Sequence, residues 1–238
     1  MRILVFQHLA IEHPGIFAEL WLEAGHELTT VELDEGASIP ELDGFDLMVA
    51  MGGPMDVWQE DRHPWFVPEK AAIRRWVREL DRPFLGICLG HQLLADALGG
   101  TVGLMEKPEV GLVDVELTEA GRADPLFAGI APKLGTLQWH GAEITQMPEG
   151  GAILATNAAS RVQSMRWGRF AYGFQCHMEI SDTTVDDWAK VPEYKASLER
   201  TLGAENAARL ATTVAGELPA FHKTARTLND NFFRLIGQ

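Results

Sequence analysis

Cysteine is scarce in this chain of 238 residues, in which Cys88 and Cys176 are the only two. So low a content provides no disulfide framework. The apolar start, residues 1–7, is too short for a secretory signal peptide, and no run approaches the roughly 20 apolar residues that span a bilayer. We therefore expect a cytoplasmic protein with no membrane partner, because a free thiol survives in that reducing compartment.

Basic residues are also few. The chain has 20 Lys and Arg against 34 Asp and Glu, which gives a formal net charge of −14. Binding to a phosphate backbone requires clustered Lys and Arg, so no nucleic-acid partner is expected. The hydrophobic fraction of 46% is ordinary for a globular protein, and a chain of this length can bury a substantial core.

In the first hundred residues, short apolar runs predict strands and longer periodic runs predict helices. The predicted order is strand 2–7, helix 14–24, strands 28–33 and 45–51, helix 69–80, strand 84–87 and helix 89–98. This alternation implies a parallel sheet with helices on both faces, and ligands bind such sheets at the carboxyl ends of the strands. Gly53 and Cys88 both follow such ends.

The pattern changes after residue 100. Short strand-like runs between turn residues predict an antiparallel extension of the sheet whose last strand returns to the centre. These runs are 112–118, 136–139, 153–156, 161–166 and 170–176. From Ser181 onward the sequence is helical, with breaks expected near Pro192, Gly203 and Pro219. The predicted fold is an α/β three-layer sandwich with a mostly parallel, flavodoxin-like central sheet, an antiparallel β extension and a helical C-terminal segment.

Cys88 lies in the sequence Gly86-Ile87-Cys88-Leu89-Gly90, between a predicted strand and a predicted helix. A sharp strand-to-helix turn that presents a nucleophile needs small residues two positions to either side. The helix dipole at such a turn favours a thiolate. One alternative is a small buried cysteine between two packing glycines. A metal site with His91 lacks a second pair of ligands, and no metal is expected.

A nucleophilic thiol needs a base, and the base needs a group that orients it. His177 ends the apolar run 170–176, as a residue at the carboxyl end of a strand would. Glu179 follows two positions later, and residues i and i+2 of an extended chain project to the same side. We therefore predict that Glu179 accepts a hydrogen bond from His177. The alternative is an ordinary surface His-x-Glu pair.

Three motifs together resemble those of the class I glutamine amidotransferases. Residues 86–92, GICLGHQ, match the G-x-C-x-G-x-Q nucleophile motif of that family. Residues 174–179, FQCHME, are similar to its F-Q-x-H-P-E motif, and residues 51–54, MGGP, resemble its oxyanion loop. The resemblance covers about residues 1–180. It is strongest to the stand-alone branch that is similar to the amidotransferase domain of GMP synthase.

The resemblance implies a role for each matched catalytic position. Cys88 would be the nucleophile, His177 the general base and then the acid, and Glu179 the residue that orients it. The backbone N–H groups of Gly53 and Leu89 would form the oxyanion hole. We further expect Gly53 to adopt a backbone conformation that glycine alone reaches easily.

Substrate contacts are implied for Gln92, one helical turn after the nucleophile, and for His140 and Gly141 in the sequence QWHG. A buried histidine satisfied within the protein is the alternative for His140. The family proline between the catalytic His and Glu is replaced here by Met178.

The implied reaction is hydrolysis of a γ-carboxamide through a Cys88 thioester, with no cofactor and with glutamine or another γ-glutamyl small molecule as substrate. Residues 1–185 would form the amidotransferase domain and residues 186–238 a helical extension packed on it. Three functions remain open. The chain is a glutaminase that delivers ammonia to a separate synthetase subunit, an independent γ-glutamyl hydrolase or peptidase acting on a larger conjugate, or a non-catalytic binding or regulatory protein.

Overall fold

The computed structural model describes residues 1–238 and is built on one nine-stranded sheet. Its strands are β1 Arg2–Gln7, β2 Glu27–Glu32, β3 Leu47–Ala50, β4 Phe84–Ile87, β5 Thr101–Leu117, β6 Lys133–Gln146, β7 Gly151–Thr156, β8 Ser164–Trp167 and β9 Ala171–Phe174. The spatial order is β2-β1-β3-β4-β9-β8-β7-β5-β6. The pairs from β2 to β9 are parallel and the remaining pairs antiparallel. The flavodoxin-like winding and the return of the last strand to the centre are confirmed.

The helices are α1 Ile16–Glu23, α2 Phe66–Arg74, α3 Leu89–Ala97, α4 Glu119–Ala123, α5 Thr184–Trp188 and α6 Pro192–Leu235. The helices cover both faces of the sheet, which makes three layers. Strand β1 illustrates this arrangement, because its side chains are buried on both faces of the sheet. Leu4 and Phe6 belong to a core shared with α2 and α3. Ile3 and Val5 belong to a second core, shared with α1 and the end of α6. Burial on both faces is typical of a parallel sheet covered by helices.

Two strands are far longer than their predicted segments 112–118 and 136–139. Strands β5 and β6 form a long antiparallel ribbon whose register shifts between Leu104 and Glu109. The first half of β5 is mostly exposed and contains Pro108, which cannot donate to the ladder. Without alternating burial there is no period-two signal in the sequence, so this half was missed.

Helix α6 begins at Pro192, as expected, and is kinked at Gly203, whose φ of 75° and ψ of 160° are not helical. The expected break at Pro219 is wrong, because the helix continues through that residue. Its second half is held to α1 by a hydrogen bond of 2.9 Å from Trp21 Nε1 to Asn229 Oδ1. No helix in the structure combines the length and the apolar character needed to cross a membrane.

Candidate active site

The predicted site residues meet at the carboxyl edge of the parallel sheet. Four adjacent strands contribute to this edge, namely β1, β3, β4 and β9. They are followed by His8, by Gly52 and Gly53, by Cys88 and by the segment 175–179. Binding at such an edge was expected from the strand–helix alternation.

Cys88 lies in the turn between β4 and α3 with φ 51° and ψ −104°, a left-handed conformation that is uncommon outside glycine. A Cβ at Gly86 would lie 2.5 Å from the carbonyl oxygen of Gly90, and a Cβ at Gly90 would lie 1.9 Å from that of Ala50. Both neighbours must therefore be glycine. The strained backbone is the geometry that the G-x-C-x-G spacing predicted.

His177 and Glu179 are both buried and in direct contact, with Nδ1 of the ring 2.6 Å from Oε1 of the carboxylate. The second carboxylate oxygen accepts a hydrogen bond of 2.9 Å from the backbone N–H of Met178. A proline at that position would have no N–H to donate. The departure from the family motif therefore adds a donor that fixes the carboxylate, and Trp188 packs edge-on against the imidazole at 4.5 Å between ring centroids.

The charges around His177 favour its protonated form. Burial is the largest influence and opposes the charge, yet the pKa of His177 is raised well above its ordinary value. The Glu179 carboxylate raises it, and so do the charge and hydrogen bonding of the adjacent Cys88 sulfur. The geometry thus suits an imidazolium between the Glu179 carboxylate and the Cys88 sulfur.

A cavity of about 210 Å³ opens beside Cys88, and Gly53 and Leu89 line it. The N–H of Gly53 makes no hydrogen bond within the chain. Leu89 is the first residue of α3, so its N–H has no acceptor in the helix.

The expectation that Gly53 needs a backbone conformation reserved for glycine is wrong, because its φ is not positive. A side chain there would instead be crowded, since a Cβ would lie 2.9 Å from Cδ2 of Leu89 and 3.1 Å from Cβ of His8, and these neighbours would have to shift.

Gln92 also lines the cavity, but its amide nitrogen is committed to the protein. It donates to the Ala142 carbonyl at 3.1 Å and to Oε1 of Gln175 at 3.0 Å. Its amide oxygen is the atom left to face a ligand. The amide nitrogen of Gln175 points at the Cys88 sulfur at 3.7 Å, so this residue of the second motif touches the predicted nucleophile.

His140 and Gly141 line the same cavity. Both ring nitrogens of His140 already face acceptors, with Nδ1 at 2.9 Å from the Ala142 carbonyl and Nε2 at 3.0 Å from Glu109. This arrangement favours the alternative of a buried, satisfied histidine, whose ring supports the cavity wall. Glu109 is itself held by Gln163 at 2.7 Å.

Sequence reasoning missed a buried pair beside His177. The Tyr194 hydroxyl, from α6, donates to Oε1 of Glu12, and Oε2 of that carboxylate has no partner in the chain. Burial raises the pKa of Glu12, although the charge of His177 opposes the rise. Tyr194 also lines the cavity. The two residues are 182 positions apart, and no local pattern links them.

The other candidate groups belong to the core. Burial raises the pKa of the Cys176 thiol, and the residue packs in the core beneath α1. His91 is buried with its Nε2 3.2 Å from the Val162 carbonyl, and burial lowers its pKa to about 3. No cluster of three or more His, Cys, Asp and Glu side chains is arranged to hold a metal ion.

The chain thus combines a doubly wound α/β sheet with a strained cysteine and a buried His–Glu pair at the carboxyl edge of that sheet. Residues 17–188 match the family described as glutamine amidotransferase class-I, and the chain belongs to that family.

Relatives and solved structures agree with this assignment. The glutamine amidotransferase-like protein YfeJ of Salmonella typhimurium is 31% identical over 190 residues, which are 78% of this chain and 79% of that protein. One subunit of the glutamine-hydrolysing GMP synthase of Sulfolobus acidocaldarius is 36% identical over 66% of this chain and 79% of its own length. A glutamine amidotransferase of Thermotoga maritima superposes with a TM-score of 0.87 at 26% identity, over 100% of this chain and 99% of that one.

Proposed function

We propose that this chain hydrolyses a γ-glutamyl amide, glutamine in the first instance, through a thioester on Cys88. The single observation that carries the proposal is the meeting of Cys88 with the His177–Glu179 pair beside a cavity lined by Gly53 and Leu89. A non-catalytic protein would have no reason to keep a strained cysteine and a buried ion pair, since both cost stability.

In the first half of the reaction, the Cys88 sulfur attacks the γ-carbonyl carbon and the carbonyl oxygen becomes an oxyanion. The N–H groups of Gly53 and Leu89 stabilise that charge, which is worth about 10²–10³ in rate for each donor. His177 gives its proton to the leaving nitrogen, so that ammonia departs and a thioester remains. In the second half, His177 takes a proton from water, which attacks the thioester and releases glutamate.

The size and charge of the cavity support a small amino-acid substrate. Its volume of about 210 Å³ is below the roughly 300–1,000 Å³ of pockets that hold drug-sized ligands. The cavity is lined by charged residues of both signs, namely the acidic Asp56 and Glu193 and the basic Arg200. Charges of both signs suit the α-ammonium and α-carboxylate groups of a γ-glutamyl compound.

One wall of the cavity favours a second candidate, the independent γ-glutamyl hydrolase. It is formed by α6, through residues that include Tyr194 and Ser197. The family match ends at residue 188, so this wall lies outside the matched region. We propose a division into an amidotransferase domain, 1–185, and a helical extension, 186–238, that completes the site. A docked synthetase, as the name of the related GMP synthase subunit suggests, remains the competing arrangement.

The purified chain, without any partner, should be assayed with glutamine and with γ-glutamyl amides of larger amines, with Cys88→Ala as the blank. Release of ammonia from glutamine supports the proposed activity, and a preference for larger amides supports the independent hydrolase. If the chain hydrolyses none of these substrates but its Cys88 still reacts with iodoacetamide, the protein needs a synthetase partner for activity. If Cys88 neither turns over nor reacts, the proposal is wrong.

Both cysteines are free in the structure. A mechanism that depends on one of them requires a reducing compartment, and we propose a cytoplasmic location on this ground.

Glu179→Gln should lower kcat by about 10²–10⁴-fold with little change in KM, because Glu179 touches His177 and does not line the cavity. The imidazolium form is populated below the pKa of His177 and is lost as the pH rises through it. Removing the carboxylate takes away a cause that raises this pKa, while burial still lowers it. The alkaline limb of the pH–rate profile should therefore move to lower pH.

The matched control is Glu199→Gln, an exposed carboxylate on α6 that should leave the profile unchanged. A Glu179→Gln enzyme with the wild-type rate and profile would mean that the carboxylate does not act on His177.

A further inference from the structure

A second buried His–Glu pair lies behind the loop that carries Gly53. His8 follows the carboxyl end of β1, and its Nε2 is 2.9 Å from Oε1 of Glu69 on α2. Both side chains are 0% exposed. The other ring nitrogen, Nδ1, lies 3.1 Å from the carbonyl oxygen of Gly52. Neither residue lines the cavity beside Cys88.

Both partners of His8 are acceptors, so the ring must donate from both nitrogens to satisfy them. Burial is the largest influence on the pKa of His8 and lowers it, but the Glu69 carboxylate and the Gly52 carbonyl outweigh it and the pKa is raised. A buried pair of this kind is costly and stabilises a fold less than apolar side chains of similar volume would. Its retention at the edge of the active site suggests a positioning role.

The contact with Gly52 fixes the direction of the neighbouring N–H. The carbonyl of Gly52 and the N–H of Gly53 belong to one peptide group, and no peptide bond in the structure is cis. In a trans peptide these two groups point in opposite directions. When His8 holds the carbonyl on the side of β1 and α2, the N–H of Gly53 must face the other way, toward the cavity that Gly53 lines.

The contact with His8 is the one hydrogen bond that the Gly52–Gly53 peptide group makes. The N–H of Gly53 has no partner in the chain, and glycine at positions 52 and 53 makes peptide rotation easy. A flipped peptide would turn the Gly52 carbonyl toward the developing oxyanion, where it would repel the charge. The flip would also break the hydrogen bond to His8, which leaves a buried donor unsatisfied.

We propose that His8, held by Glu69, is a positioning residue that locks the Gly52–Gly53 peptide in the orientation required for an oxyanion hole. The inference rests on the proposed function and adds a residue pair to it. On this inference the hole forms in the isolated chain, without a partner that would turn the peptide.

The test compares His8→Leu, which removes both donors, with His8→Asn, whose amide nitrogen can replace Nδ1 toward Gly52. Three quantities are measured. They are kcat and KM for glutamine, the affinity of glutamate γ-semialdehyde, which forms a tetrahedral adduct with a thiol, and the rate of Cys88 alkylation by iodoacetamide, which forms no oxyanion. His26→Leu, at the opposite edge of the sheet before β2, is the control for loss of a histidine.

His8→Leu should lower kcat by about 10–10²-fold with KM nearly unchanged, and weaken aldehyde binding by a similar factor, since one donor is worth about 10²–10³. Alkylation should stay within about twofold of wild type, and His8→Asn should recover most of the loss. Unchanged kcat and aldehyde affinity would overturn the inference, as would an equal fall in alkylation. If His8→Leu does not fold, the same readouts on His8→Phe, whose ring has no donor for the Gly52 carbonyl, decide instead, and wild-type values for that variant would overturn the inference. A wild-type chain that neither hydrolyses glutamine nor binds the aldehyde, while Cys88 is still alkylated, also overturns the inference, because the hole is then not formed in the isolated chain. Only a chain in which Cys88 is not alkylated either refutes the proposed function.

Discussion

Replacing Cys88 with alanine is expected to abolish turnover, with a loss on the order of 10⁶-fold in kcat, because no other side chain can form the thioester. The fold should persist, since Cβ is common to both residues and Gly86 and Gly90 leave the turn unchanged. The measurement is ammonia release from glutamine, together with a thermal melt. Cys88→Gly should be equally inactive. It should melt no lower than the alanine variant, because glycine relieves the strain of a φ of 51°.

Chemical labelling provides the control for this prediction. A γ-glutamyl chloroketone should alkylate Cys88 and spare Cys176, which is buried as a thiol in the core. Labelling chiefly at Cys176, or a Cys88→Ala enzyme that retains turnover, would refute the assignment of the nucleophile.

Gly90→Ala is expected to cost about 3 kcal/mol of folding free energy, at the upper end of the range for overpacking, and to remove activity. The new Cβ would lie 1.9 Å from the carbonyl oxygen of Ala50 and 2.9 Å from its Cβ. These atoms belong to β3 in the middle of the sheet and cannot move aside as a flexible side chain can. Helix α3 would have to move away from β3, which displaces Cys88 and the N–H of Leu89 together. Chemical denaturation and a glutaminase assay measure the two effects.

The matched control is Gly216→Ala, in the middle of α6, where a Cβ meets nothing within 4 Å and φ is not positive. Alanine at that position should stabilise the protein by about 0.5–1 kcal/mol and leave turnover unchanged. If Gly90→Ala melts like the wild type, the close packing of α3 on β3 is not what fixes the elbow.

The sequence was most informative where chemistry and geometry both restrict a position. Glycine two positions before and after Cys88 is needed because helix and strand backbones meet there, so the spacing itself predicts the turn. His177 and Glu179 meet because they are two residues apart in an extended segment. Central strands that are buried on both faces appear in the sequence as apolar runs, and these runs predicted both ends of β1 and of β4 correctly.

The sequence was least informative where a residue's environment is distant along the chain. The exposed half of β5 is a strand because β6 pairs with it, and α6 continues past Pro219, where local rules predict a break. For His140 the sequence left two alternatives, a substrate contact and a buried, satisfied histidine, and only the structure shows that Glu109 and the Ala142 carbonyl face its two nitrogens. No local motif shows that Glu109, which lies on the neighbouring strand β5, faces this histidine.

By itself, the sequence determined the winding of the parallel sheet, the strained turn at Cys88 and the pairing of His177 with Glu179. Each of these depends on spacings of a few residues, which backbone geometry converts directly into structure. Tertiary structure alone decided that Tyr194 reaches Glu12, that α6 closes one wall of the cavity and that His8 and Glu69 stand behind Gly52. These contacts join residues 44 to 182 positions apart. They exist only because packing of the whole sheet brings the carboxyl ends of its strands to one edge.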